Sequence, residues 1–204
     1  MARLEDHPIP QRIYHGINLV SFTVLAVSGY YMYRPFAPGL MGTMKTLHYV
    51  FMFVITANLF ARVYYAFYGR HRDAGVFAVR RSDLQALGPM VRYYLFLGTR
   101  PRTDRLNPLQ KLGYQATIVT IAVQALTGFA MHWPDGTLGF AVKLAGGLHN
   151  LRLIHIFLMW LFFVGVLIHL YMVFTEAYDE FLLMCLGKVR PTAGAERGEV
   201  GRGA

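Results

Sequence analysis

Two histidines, His155 and His169, stand fourteen residues apart inside one long apolar run from His149 to Tyr178. At about 1.5 Å rise and 3.6 residues per turn this is nearly four whole turns, so both rings leave one helix face about 21 Å apart. That is most of the roughly 30 Å core of a bilayer. Neutral imidazole is a metal ligand, and two imidazoles at two depths fit two redox centres stacked across a membrane. The simpler reading is a polar seam in a helix bundle. Two further histidines, His15 and His48, each stand near the start of another apolar run.

The elements that must position these rings are legible as runs. The chain is 55% hydrophobic, and its apolar residues are gathered into long stretches, the pattern of an integral membrane protein. The expected fold is all-α, an integral membrane four-helix bundle, with spans at about 13–34, 44–68, 112–133 and 149–178 and a long polar loop over 69–111. Residues 1–12 read as a polar arm broken by Pro8 and Pro10, residues 13–187 as one transmembrane domain, and residues 188–204 as a disordered tail. No cleavable signal peptide is expected, because the first apolar run is too long for a signal core. Within the loop, DLQALGPMVRYYLFLG is apolar and aromatic but short and carries Pro89, so it is expected to lie in the interface.

The formal net charge of +9 does not point to nucleic acid, because its distribution is one-sided. Arg70, Arg72, Arg80, Arg81, Arg92, Arg100, Arg102, Arg105 and Lys111 share the long loop, and Lys188, Arg190, Arg197 and Arg202 the tail. Basic residues collect on the cytoplasmic side, which puts both termini inside. The single cysteine, Cys185, excludes an internal disulfide, a Cys-held iron–sulfur cluster and covalent CxxCH haem. Any haem is therefore of the b type.

Crossing order then fixes depth. His15 and His169 lie toward the inner side, and His48 and His155 toward the outer side. Two b-type haems with two imidazoles each use all four as iron ligands. Iron held by histidine on both faces has no open position and passes electrons. The remaining histidines, His7, His71, His132 and His149, fall in loops or at the surface, His149 being the one best placed near a partner or a propionate. Arg62, near the inner end of the second span, needs a partner or must snorkel; a haem propionate is one such partner. Ser28-Gly29 and Thr127-Gly128 mirror each other at outer depth and either make room for porphyrin or are ordinary small-residue helix contacts.

Three stretches carry a family resemblance: RIYHG at the first span, YYLFLGTRPRTDRLNPLQK in the loop, and HNLRLIHIFLMWLFFVGVLIHLYMVF in the fourth span. Together they resemble the di-haem cytochrome b subunit of membrane-bound nickel–iron hydrogenases, a relative of the formate dehydrogenase gamma subunit. The likeness extends over about residues 10–185. It implies His15 with His169 on the inner haem and His48 with His155 on the outer one. It also implies a multi-pass protein of the bacterial inner membrane that anchors a periplasmic-side hydrogenase. The hydrogenase small subunit, and through it the large subunit, would be the partners, and membrane quinone the acceptor. Asn107, in NPLQK, matches the position beside the quinone in the formate dehydrogenase relatives; by its own chemistry Asn107-Pro108 is a helix N-cap followed by proline. The hydrogenase subunits usually have a histidine directly before NPL, where this chain has Leu106.

The expected function is a redox wire that does not oxidise hydrogen by itself. One alternative keeps the wire and changes the partner to a formate dehydrogenase or another molybdenum oxidoreductase. An alternative of a different class is a non-redox membrane anchor or transporter with a histidine relay.

Overall fold

In the computed structural model, residues 8–102 and 106–187 are described, and among them every regular element is helical. His7, Arg105 and the tail from Lys188 onward lie outside the described residues. Four helices are long: α1 (Ile9–Tyr33), α2 (Met41–Tyr68), α5 (Pro108–His132) and α7 (Leu148–Glu176). Short helices fill the connections: α3 (Ala74–Phe77) and α4 (Arg81–Tyr94) between α2 and α5, α6 (Phe140–Leu144) before α7, and α8 (Tyr178–Phe181) after it. A π-turn over Leu182–Leu186 follows α8.

The ends of these helices follow from local chemistry. Pro8 caps α1 and Pro10 sits in its first turn, where a missing N–H costs nothing because no intrahelical acceptor exists there. The helix therefore begins at Ile9, and residues 9–12, read from sequence as part of the arm, belong to it. Asn107 opens α5 with a reciprocal capping box: its Oδ1 accepts from Gln110 N at 2.8 Å, and Gln110 Oε1 accepts from Asn107 N at 3.0 Å. Gly146 and Gly147, at φ of 78° and 122°, turn the chain into α7 through backbone space that glycine enters freely.

Helices α2, α5 and α7 are long and apolar enough to cross a membrane. Helix α1 has the length and only one charge, Arg12, but its tyrosine, serine, asparagine and glycine content leaves it less apolar. Helix α4, at 14 residues with Pro89 inside, spans about 21 Å, less than a bilayer core.

Burial is inverted relative to a water-soluble domain. Ser21, Ser28, Asn58, Asp83, Asn107, Lys111 and Thr127 are buried, whereas leucines, valines and phenylalanines along α7 are exposed. None of α7's most apolar stretch is buried within the protein. A surface this apolar is stable against lipid or another apolar surface, not against water. Contacts close a ring of the long helices: Asn58 Nδ2 on α2 donates to Asn18 Oδ1 on α1 at 2.7 Å, Phe53 meets Phe129 across α2 and α5, Gln124 Nε2 on α5 donates to the His155 carbonyl on α7, and Phe22 meets Phe162 across α1 and α7. Near one end, α6 closes on α5 and α7 through Ala130, Ala141 and Leu151.

Candidate functional site

Each long helix sends one residue to a common level. Ser28 comes from the end of α1, His48 from the start of α2, Thr127 from the end of α5 and His155 from the start of α7. The two imidazoles lie edge to face, with ring centroids 6.4 Å apart and planes at 64°. Ser28 Oγ lies 3.0 Å from His48 Nδ1, and Thr127 Oγ1 lies 2.7 Å from His155 Nδ1. The Nε2 atoms are thus the nitrogens left for a ligand.

The glycines after these hydroxyls explain how the rings fit. A Cβ on Gly29 would meet His48 Cε1 at 3.1 Å, and one on Gly128 would meet His155 Cε1 at 3.6 Å and Met52 Sδ at 3.4 Å. Gly29 therefore makes room for the His48 ring, whereas a Cβ at Gly128 would stand in ordinary contact with His155 and Met52. The motif is repeated: a hydroxyl that holds Nδ1, then a glycine against which the ring lies, once between α1 and α2 and once between α5 and α7. Sequence showed the Ser-Gly and Thr-Gly pairs at matching depth but not their hydroxyl contacts.

Two neighbouring imidazoles with both Nδ1 atoms engaged could hold an iron atom through Nε2. A metal–imidazole bond is roughly 2 Å long, so two rings with centroids 6.4 Å apart are close enough to reach one metal ion. Among the described residues no three His, Cys, Asp or Glu side chains gather into a metal-binding group. A pair of histidines suits a metal whose remaining ligands come from a macrocycle.

The other two predicted ligands are placed differently. His169 lies toward the far end of α7 on an exposed face. His15, on the second turn of α1, lines an open cavity of about 440 Å³ with Arg12, Gly16, Met184 and Cys185; among the described residues, its lining does not include His169. Arg12 Nε in this cavity is buried with no hydrogen-bond partner among the described residues. Sequence reading passed over Arg12, whose position directly before the first span was the available signal. Of the remaining histidines, His132 packs its ring on Tyr49 and Trp133, while His71 and His149 are exposed.

Arg62 is paired within the chain. Its two terminal nitrogens donate to Asp73 at 3.1 and 2.6 Å, and its guanidinium lies over the rings of Phe77 and Tyr114. Gln11 Nε2 joins the same carboxylate at 2.7 Å. Asn107, besides capping α5, donates from Nδ2 to Tyr94 Oη at 3.0 Å, and Tyr94 donates to Glu176 Oε2 at 2.9 Å. Burial and the Glu176 carboxylate push the Tyr94 phenol up to about 12, so it keeps its proton. Beside this network, Lys111 Nζ donates to both oxygens of Asp83 at 3.0 and 2.9 Å. The Arg80 backbone N–H and the Lys111 ammonium hold the Asp83 carboxyl below its ordinary value. The start of α5 and the end of α7 are therefore both tied to α4 by largely buried polar contacts.

The sequence pattern of the prokaryotic cytochrome b561 family matches residues 6–183. Among curated relatives, the "Probable Ni/Fe-hydrogenase B-type cytochrome subunit" of Cupriavidus necator is 30% identical over 188 residues, covering 82% of this chain and 77% of its own. The protein of that name from Azotobacter chroococcum is 32% identical, with 82% and 78% covered. The "Probable Ni/Fe-hydrogenase 1 B-type cytochrome subunit" of Escherichia coli K12 is 27% identical over 190 residues, with 82% and 80% covered.

Proposed function

The chain belongs to the prokaryotic cytochrome b561 family, and from that premise we propose that it is a di-haem membrane cytochrome b that carries electrons from a nickel–iron hydrogenase to quinone. The observation that carries this reading is the neighbouring pair His48 and His155, each with its Nδ1 held by a hydroxyl. The names of the relatives support the hydrogenase as partner. In this reading the four long helices form a four-helix membrane bundle with both termini in the cytoplasm, in the bacterial inner membrane. Domain limits follow those read from sequence, with the bundle extended to Ile9.

When bound, b-type haem would supply one-electron transfer. The chain's own residues do the rest. His48 and His155 would hold the outer haem through Nε2, and His15 and His169 would hold the inner one, near the cavity at His15. Two arginines are available to inner-haem propionates: Arg12, whose Nε has no partner among the described residues, and Arg62, which shares itself with Asp73. Asn107 holds the start of α5 beside Tyr94 and Glu176, and this polar cluster on the inner side is the proposed quinone end. The apolar outer face of α7 lies against lipid or a partner's membrane segment. The hydrogenase small subunit docks on the outer side, where the electrons enter.

Hydrogen added to membranes that carry the chain and its partner should reduce b-type haem absorbance, and added quinone should reoxidise it. Haem that responds to dithionite but not to hydrogen overturns the partner assignment.

A further inference from the structure

The hydroxyls of Ser28 and Thr127 each have more contacts than one proton can serve as donor. Ser28 Oγ lies 2.6 Å from the Val24 carbonyl oxygen, 3.3 Å from that of Leu25 and 3.0 Å from His48 Nδ1. Thr127 Oγ1 lies 2.9 Å from the Val123 carbonyl oxygen, 3.1 Å from that of Gln124 and 2.7 Å from His155 Nδ1. A hydroxyl donates once and accepts with its lone pairs, and a carbonyl oxygen only accepts. If the proton pointed at Nδ1, the short oxygen–oxygen contacts to the helix carbonyls would set lone pair against lone pair. The proton therefore goes to the carbonyl, as is usual for serine and threonine within helices. The hydroxyl oxygen is then the acceptor, and Nδ1 carries the hydrogen.

We propose that Ser28 and Thr127 are positioning residues that set the tautomer and the ring orientation of His48 and His155, so that both present a bare Nε2 to the haem iron. This rests on the ligation reading above. With Nδ1–H donated to the hydroxyl, and the Leu25 backbone carbonyl also accepting from the His48 ring, the lone pair of the imidazole is on Nε2, the nitrogen free to bind metal. The opposite tautomer would put a hydrogen there and block the bond. Both hydroxyls are buried, Ser28 at 1% and Thr127 at 4% exposure, so water does not compete for Nδ1. The glycine that follows each hydroxyl lies against the ring's Cε1, closely at Gly29 and in ordinary contact at Gly128, so the ring approaches the supporting helix from the side of its Nδ1. Hydrogen bonds of this type make a ligating imidazole more basic. A more basic pair of ligands favours the oxidised iron and lowers the reduction potential, one of the means by which a protein tunes haem. The arrangement belongs to the outer haem and is supplied by the two helices that do not carry its ligands.

The test uses the full chain, purified in detergent after expression with haem supplied. Wild type, Ser28→Ala, Thr127→Val, Thr127→Ser and His48→Ala are compared by haem count, potentiometric titration and low-temperature electron paramagnetic resonance. His48→Ala identifies which potential and which low-spin signal belong to the outer haem. Ser28→Ala and Thr127→Val should raise the outer potential and move its signal, or weaken retention of that haem by about 10–100-fold, while the inner haem keeps its wild-type values. Thr127→Ser, which restores the hydroxyl, should return the outer haem to near wild type. Unchanged potential and signal in Ser28→Ala and Thr127→Val overturn the proposal and leave ligation standing. Loss of the outer haem in Thr127→Ser as fully as in Thr127→Val also overturns it, because the hydroxyl would then not be the cause. A wild-type chain with no haem, or His48→Ala with the full haem count, overturns the ligation reading itself.

Discussion

His48 and His155, from the starts of α2 and α7, stand edge to face with ring centroids 6.4 Å apart, and each has its Nδ1 against a hydroxyl of a neighbouring helix. The pair is built from four helices, so removing one ring should leave the scaffold and take one cofactor. His48→Ala and His155→Ala should each bind one haem instead of two, with the inner haem unchanged in its spectrum. Pyridine haemochrome counts on the purified variants check this. Two haems in either variant would release that histidine from ligation.

Arg12 and Arg62 should behave differently. Arg62 and Asp73 are largely buried, 13% and 12% exposed, and removing one partner of such a pair costs about 3 kcal/mol. Arg62→Gln and Asp73→Asn should therefore lower stability to a similar extent, measured by thermal unfolding in detergent. Arg12→Gln should instead weaken retention of the inner haem. Haem loss in Arg62→Gln but not in Asp73→Asn would give the propionate contact to Arg62.

Much of this was legible in the sequence, for a geometric reason. Helical period and crossing order convert a residue number into a depth, so the nearness of His48 to His155 could be expected from sequence, whereas that of His15 to His169 is not seen among the described residues that line the cavity at His15. Proline reads as a breaker in sequence, but the first helical turn accepts it, and α1 therefore starts at Ile9 and not near residue 13. Partners that depend on loop return were not legible. Arg62 meets Asp73 across the turn after α2, and Lys111 meets Asp83 from another helix 28 residues away. No local pattern specifies either pair. The hydroxyl–imidazole contacts were hidden for a similar reason: they depend on how far neighbouring helices interpenetrate, which Ser-Gly and Thr-Gly permit but do not dictate.

The Lys111–Asp83 pair makes an acid-sensitive joint between α4 and α5. The folded-state pKa of Asp83 is depressed, first by the Arg80 N–H and then by Lys111. Its contribution is therefore fully present above the ordinary carboxylate value of about 4 and is lost as pH falls through the lower folded value. Thermal midpoints taken at descending pH below about 4 should fall less steeply in Asp83→Asn than in wild type. Lys111→Met should destabilise, and the double variant Asp83→Leu with Lys111→Met should recover part of the loss, since a matched apolar pair leaves no buried charge alone.

Tyr94 joins Asn107 on α5 to Glu176 on α7. Its folded pKa is raised from 10.0 to about 12, so its contribution is complete below pH 10.0 and is lost as pH rises toward about 12. Tyr94→Phe should cost about 1–2 kcal/mol from the lost hydrogen bonds. It should also remove a late phenolate transition from the alkaline absorbance titration. Under the proposed function it should slow quinone reduction while leaving both haems bound. Unchanged quinone turnover would separate this cluster from the quinone end.

The central claim is that this chain holds two b-type haems through His15, His48, His155 and His169. The most direct measurement is a reduced-minus-oxidised absorption spectrum of the purified chain with a pyridine haemochrome count. The account predicts a b-type spectrum and two haems per chain. Folded protein that was supplied with haem during expression and still contains none would contradict it.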